Sequence, residues 1–258
     1  MNIKYFDHAA TTAVAPEVLH EMIPYFSKNY GNASSMYEIA RISKRAMNEA
    51  RAKIAHAIGA SPKEIYFTYC GSESDNLAIK GIAYANKEKG KHIITSKIEH
   101  NAVLNSCERL EEQGFEITYL NVDQNGFVNL EELKNAIRED TILITIMFAN
   151  NEVGTIEPVE KIAEIAKNNN IIFHTDAVQA IGNVRIDVRK MGIDALSMSA
   201  HKFYGPKGIG ALYVRDDVNF QRIQDGGHQE RDKRAGTENV AEIVGMGKAI
   251  EMSYKNFD

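Results

Sequence analysis

Lys202 stands at the end of Ser199-Ala200-His201-Lys202, and the chain continues through Tyr204-Gly205-Pro206-Lys207-Gly208-Ile209-Gly210. Apolar stretches that read as buried strands flank this segment, residues 193–198 before it and 211–214 after it. A lysine held in a short turn, partly shielded from water, can lose its proton and form a Schiff base with an aldehyde. Lys207, in the same turn, reads as a solvent-facing lysine. Asp176 ends another apolar stretch, in His174-Thr175-Asp176-Ala177-Val178-Gln179. Asp is also a common helix N-cap after a strand. A lysine and an aspartate at two strand ends, however, match what pyridoxal 5'-phosphate needs. One binds the aldehyde; the other pairs with the pyridine nitrogen and keeps it protonated, which makes the ring an electron sink.

A phosphate is best held by backbone N–H groups and hydroxyls at a helix N-terminus. Gly71-Ser72-Glu73 lies between a predicted strand and a predicted helix and suits that task, although the same residues make an ordinary turn and cap. Gly71 and Ser72 are therefore candidate phosphate contacts, together with Ser199 and His201 from the lysine turn. Gln179 follows Asp176 by three residues, so one helical turn can carry both toward the same ring. His100, after Thr95-Ser96-Lys97-Ile98-Glu99, has the near-neutral pKa that suits proton transfer. His8, His20, His56, His92 and His174 show no spacing that implies a metal site.

These residues need a frame, and the hydrophobic periodicity supplies one. Helices are predicted at 38–58, 74–86, 102–113, 130–138, 159–168 and 238–254; strands at 64–68, 91–95, 116–122, 141–149 and 170–175. The alternation implies an α/β fold: a mainly parallel, mixed sheet between helices. In such sheets ligands bind beyond the carboxyl ends of the strands, where Asp176 and Lys202 fall. The 258 residues are 44% hydrophobic and 25% charged with a net charge of -5, so no basic balance argues for nucleic acid. No apolar run reaches the length of a membrane span, and Met1-Asn2-Ile3-Lys4-Tyr5-Phe6-Asp7 lacks a signal-peptide core. Two cysteines, Cys70 and Cys107, make no disulfide framework or metal motif. A cytoplasmic protein that binds neither nucleic acid nor membrane is expected.

The motifs resemble the cysteine desulfurases of the class V aminotransferase family. The resembling blocks run from Tyr5-Phe6-Asp7-His8-Ala9-Ala10-Thr11-Thr12 through Tyr30-Gly31-Asn32-Ala33-Ser34-Ser35, Glu73-Ser74-Asp75-Asn76-Leu77-Ala78, Glu99-His100 and Asn150-Asn151-Glu152-Val153-Gly154 to the lysine turn and Gly236-Thr237. The resemblance implies the large domain of the fold-type-I pyridoxal-phosphate proteins over residues 1–258, with 1–15 as an N-terminal segment. It implies a homodimer, with L-cysteine as substrate. The implied reaction yields L-alanine and passes sulfur to an acceptor thiol, with a sulfur-acceptor or scaffold protein as partner and iron–sulfur cluster biosynthesis as the outlet. By the same resemblance Lys202 holds the cofactor and His100 stacks on its ring. Gln179 bonds the ring hydroxyl, and Asn151 lies near ring and substrate. Thr237 reaches the partner subunit's phosphate across the dimer. Tyr69-Cys70 departs from the family's usual Ser-Gly, which leaves the packing there open.

The resemblance also implies a C-terminal small domain, with the sulfur-accepting cysteine and a substrate-binding arginine, that these 258 residues lack. Cys107 falls among apolar helix positions and reads as a small buried hydrophobe; neither cysteine matches the family's catalytic position. Cofactor binding with little or no turnover is the expectation, in a dimer or larger species held by exposed apolar surface. Alternatives are a related class V activity such as selenocysteine cleavage, or a non-catalytic domain that dimerises or binds a partner.

Overall fold

The computed structural model describes residues 4–255 and 257; Met1–Ile3 at the start of the N-terminal segment and Asn256 and Asp258 in the closing tail lie outside the described residues. Seven strands form one sheet: β1 Ile65–Thr68, β2 His92–Ser96, β3 Glu116–Leu120, β4 Thr141–Thr145, β5 Ile172–Asp176, β6 Ala195–Ser199 and β7 Gly210–Val214. Their order across the sheet is β1-β7-β6-β5-β4-β2-β3. β3, β2, β4, β5 and β6 run parallel to one another. β7 is antiparallel to both β6 and β1. β1 therefore points the same way as β6, and its carboxyl end opens on the same edge.

The helices are α1 Pro16–Met22, α2 Pro24–Ser27, α3 Glu38–Ala57, α4 Gly71–Asn86, α5 Asn101–Glu111, α6 Leu130–Ala136, α7 Val159–Asn168, α8 Val188–Met191, α9 Gln229–Asp232 and α10 Val240–Lys255. They cover both faces of the sheet, which is why β2, β4, β6 and β7 are buried at every position. The two faces divide the core by strand alternation. Ile94, Ile144 and Phe173 pack with Met47, Ile54, Ile162 and Ile250. Their neighbours Ile93 and Leu143 pack with Leu77, Val103 and Leu110. α10 lies directly on α3: a Cβ on Gly247 would stand 2.7 Å from the Ala50 Cα and Cβ atoms.

The α/β reading with a mainly parallel sheet is what the chain adopts, and the six predicted helices and the strands around the site are present. The clearest difference is the predicted strand 141–149, whose ladder ends at Thr145. Beyond that point the chain stays bonded to the β5 side, with Ile146 N donating to His174 O (3.2 Å) and Phe148 N to Asp176 O (2.8 Å). On its other side β2 has ended at Ser96. The Glu99 side chain takes the place of the missing strand, Oε1 accepting from Met147 N at 3.0 Å.

Candidate active site

The carboxyl edge of the sheet encloses a cavity of about 540 Å³, within the range of small-molecule sites. Lys202, His201, Ser199, Asp176, Gln179, His100, Asn151, Gly71 and Ser72 all line it. Of the candidate residues only Thr237 lies elsewhere, in a neighbouring cavity of about 210 Å³ with Tyr69, Gly208 and Arg234. Lys207 is exposed, and Cys107 is fully buried.

Each element brings a different group. β6 ends at Ser199, and a short 3-10 turn, Ala200–Lys202, swings His201 and Lys202 over the strand end. Burial lowers the Lys202 ammonium pKa, against the charges of Asp176 and Asp7. Its Nζ donates to the carbonyls of Ala9 and Ala10. The His201 pKa is lowered by burial and then by Lys202 and Lys207. β5 ends at Asp176, only 6% exposed, with Oδ1 accepting from Val178 N at 2.8 Å. Burial raises the Asp176 pKa, while that N–H and the nearby His100 and Lys202 pull it down. Gln179 Nε2 donates to Ala9 O at 2.8 Å.

α4 begins at Gly71, three residues before the predicted start, so Gly71 and Ser72 are its first helical residues and their N–H groups are free of helix partners. A Cβ on Gly71 would meet Val178 Cγ2 at 2.6 Å, so only glycine passes at that point. His100 caps α5, its Nδ1 accepting from Ala102 N at 3.1 Å. That bond leaves the proton of the neutral ring on Nε2. Asn151 Nδ2 donates to Glu152 Oε1 at 2.7 Å.

The N-terminal segment closes one side. Thr12 N and Oγ1 each donate to His201 O at 2.9 Å, and Tyr204 N donates to Thr12 Oγ1 at 2.8 Å. Thr11 Oγ1 bonds His201 Nδ1 at 3.0 Å. Sequence reasoning assigned no role to Asp7, Ala9, Ala10, Asp75, Met147 or Glu152, all of which line the cavity. Ala9 and Ala10 act through backbone carbonyls, which leave no side-chain signature. Asp75 looks in sequence like an ordinary acidic residue in a first helical turn.

Residues 4–258 match the aminotransferase class-V family. The chain belongs to that family. It is 60% identical over 252 residues to the cysteine desulfurase IscS of Clostridium botulinum, covering 98% of this chain and 64% of that protein. It is 63% identical over 249 residues to the cysteine desulfurase IscS of Methanosarcina thermophila, covering 96% of this chain and 62% of that protein. The chain thus spans somewhat less than two thirds of these relatives. Among solved structures, a NifS-like protein superposes with a TM-score of 0.96 at 44% identity, over 98% of this chain and 70% of that one. The structure described as SspA in complex with cysteine gives 0.94 at 48% identity, over 96% and 72%.

Class V aminotransferases and cysteine desulfurases use pyridoxal 5'-phosphate, and the residues here fit that group. Ser199 Oγ is buried without a hydrogen-bond partner at the cavity wall, and the first N–H groups of α4 point to the same end. Asp176 offers a buried carboxylate for the ring nitrogen, and Lys202 an amine with a lowered pKa. Among the described residues no helix is long and apolar enough to cross a membrane.

Proposed function

We propose that this chain is the cofactor-binding large domain of a cysteine desulfurase, the activity that converts L-cysteine to L-alanine and passes the sulfur to an acceptor thiol. The observation that carries this reading is the convergence of Lys202, Asp176, His100 and the N-terminus of α4 on one cavity. When bound, pyridoxal phosphate withdraws electrons from the substrate carbon that bears the amine. Lys202 holds it through Nζ between turnovers and, with substrate bound, carries protons to and from the substrate. Asp176 keeps the ring nitrogen charged. His100 covers one ring face, and Gln179 and Asn151 fix the ring's orientation. Gly71, Ser72, Ser199 and His201 hold the phosphate, and Thr237 serves the phosphate site of a partner subunit. The N-terminal segment excludes water beside Lys202.

The relatives named for cysteine desulfurase activity support the substrate, and the structure solved with cysteine supports it further. A homodimer is supported by the apolar side chains left on the surface, Met36 at 91% exposure and Phe6 at 86% among them. A cytoplasmic location suits two free cysteines. We propose further that the 258 residues by themselves release little or no sulfide. Cys107 is fully buried with its thiol pushed up to about 12 by that burial. Cys70 sits at the phosphate end, beside Gly71. The test is a titration of the purified chain with pyridoxal phosphate, followed by absorbance, and then a sulfide assay with cysteine. Saturable visible absorbance with no sustained sulfide release supports both statements. Absence of saturable absorbance refutes the site, and steady sulfide release refutes the loss of turnover.

A further inference from the structure

Asp75 is a buried carboxyl for which the proposed reaction has no task. It lies in the first turns of α4, is 1% exposed, and lines the cavity. Its Oδ1 has no hydrogen-bond partner. A carboxylate oxygen of Asp75, one of Asp176 and a ring nitrogen of His100 lie within 4.8 Å of one another. Two carboxyl groups so close, both shut away from water, cannot both be charged without a cation between them.

The groups around the pair decide which one keeps the proton. Asp176 accepts the Val178 N–H, and the nearby His100 and Lys202 side chains favour its charged form. Asp75 has the carboxyl groups of Asp176 and Glu99 as its titratable neighbours, both acidic, and the Ser197 hydroxyl as its one favourable contact. His174 Nε2 stands 3.8 Å from Asp75 Oδ1. That imidazole is held between Thr145 Oγ1 (2.8 Å) and Ser197 Oγ (3.0 Å), and its burial pushes its pKa down to about 3, so it supplies no positive charge. Burial and the neighbouring Asp176 charge together hold the Asp75 carboxyl well above the usual carboxylate range.

We propose that Asp75 is a positioning residue of the cofactor site, a neutral carboxylic acid that confines the negative charge of the buried pair to Asp176. The inference rests on the reading of Asp176 as the partner of the ring nitrogen. Its consequence is that one full charge, not a shared one, faces that nitrogen. Asp75 acts on Asp176 from α4 and takes part in no bond change.

The test uses the chain without cofactor, so it stands apart from whether the cofactor binds. Infrared spectra near neutral pH read the carbonyl stretch of protonated carboxyl groups. Asp75→Asn is expected to lose one such band and Asp176→Asn to lose none, with the Glu99 acid band remaining in both. Thermal unfolding supplies a second readout. The folded chain keeps a proton on Asp75 that the unfolded chain releases above about pH 4. The Tm of Asp75→Asn relative to the parent therefore rises steadily from pH 5 to pH 8, which a lost structural contact would not produce. A band that survives in Asp75→Asn and vanishes in Asp176→Asn overturns the proposal, and so does a Tm difference that is constant with pH. Should Asp75→Asn fail to fold, carbon-13 carboxyl spectra of the aspartate-labelled parent, assigned with Asp176→Asn, read the same protonation directly. An Asp75 resonance at the carboxylate position at neutral pH then refutes the idea.

Discussion

Glu99 makes the stability of this fold depend on pH in a direction that can be worked out from its surroundings. The residue precedes His100 and is 6% exposed. Ser96 Oγ donates to its Oε1 at 2.6 Å and Met147 N at 3.0 Å, while Oε2 is buried without a partner. Burial raises its pKa from 4.5 to about 8, against those two hydrogen bonds. A carboxyl raised in this way keeps a proton in the folded chain that the unfolded chain has already released. Its stabilising effect is complete below about 4.5 and is lost as pH rises through about 8. At about 1.36 kcal/mol per pKa unit, the interval from 4.5 to about 8 corresponds to roughly 5 kcal/mol, an order-of-magnitude figure. Glu99→Gln keeps the shape and the oxygen that Met147 and Ser96 use, and it cannot titrate. Urea unfolding of parent and variant from pH 5 to pH 9 measures the difference. The variant should gain on the parent by several kcal/mol across that range and then level off. A difference that is flat with pH, or a parent that gains on the variant as pH rises, would refute the reasoning.

Arg51→Ala removes one side of a buried ion pair. Arg51 grips both Glu230 oxygens at 2.7 and 2.6 Å, and Glu230 also accepts from Phe67 N at 2.8 Å. A loss of about 3–5 kcal/mol is expected by chemical denaturation, because a buried carboxylate is left without its cation; a loss under about 1 kcal/mol would contradict it. Gly247→Val forces a side chain onto Ala50, where a Cβ already stands at 2.7 Å. A lowered Tm, corresponding to about 1–3 kcal/mol of overpacking, is expected; an unchanged Tm would show that α3 and α10 separate freely.

Much of this was legible in the sequence because it rests on local pattern. α3 has a 20-residue amphipathic repeat and ends next to Gly59, whose φ is +71°. The strand ends at Asp176 and Ser199 are marked by polar residues after apolar runs. What remained hidden depends on tertiary contacts. Residues 146–149 keep a strand-like pattern, yet they have one strand neighbour instead of two: the Glu99 side chain fills the other side, and Met147 and Ala149 line the cavity. α4 is buried around most of its circumference, including Ser74, Asp75, Leu77, Ala78 and Ile79. An acidic residue on such a helix carries no periodic sign that it faces a site. The early start of α4 was masked by Gly71 and Ser72, whose residue types favour a turn as readily as a first helical turn.

The central claim is that Lys202 is the cofactor's attachment point. Borohydride reduction of the chain saturated with pyridoxal phosphate, followed by peptide mass mapping, tests it most directly. The account predicts one stoichiometric label on Lys202, absent from Lys202→Ala and undiminished in Lys207→Ala. A label on Lys207 or scattered over surface lysines, or no label at all, would contradict it.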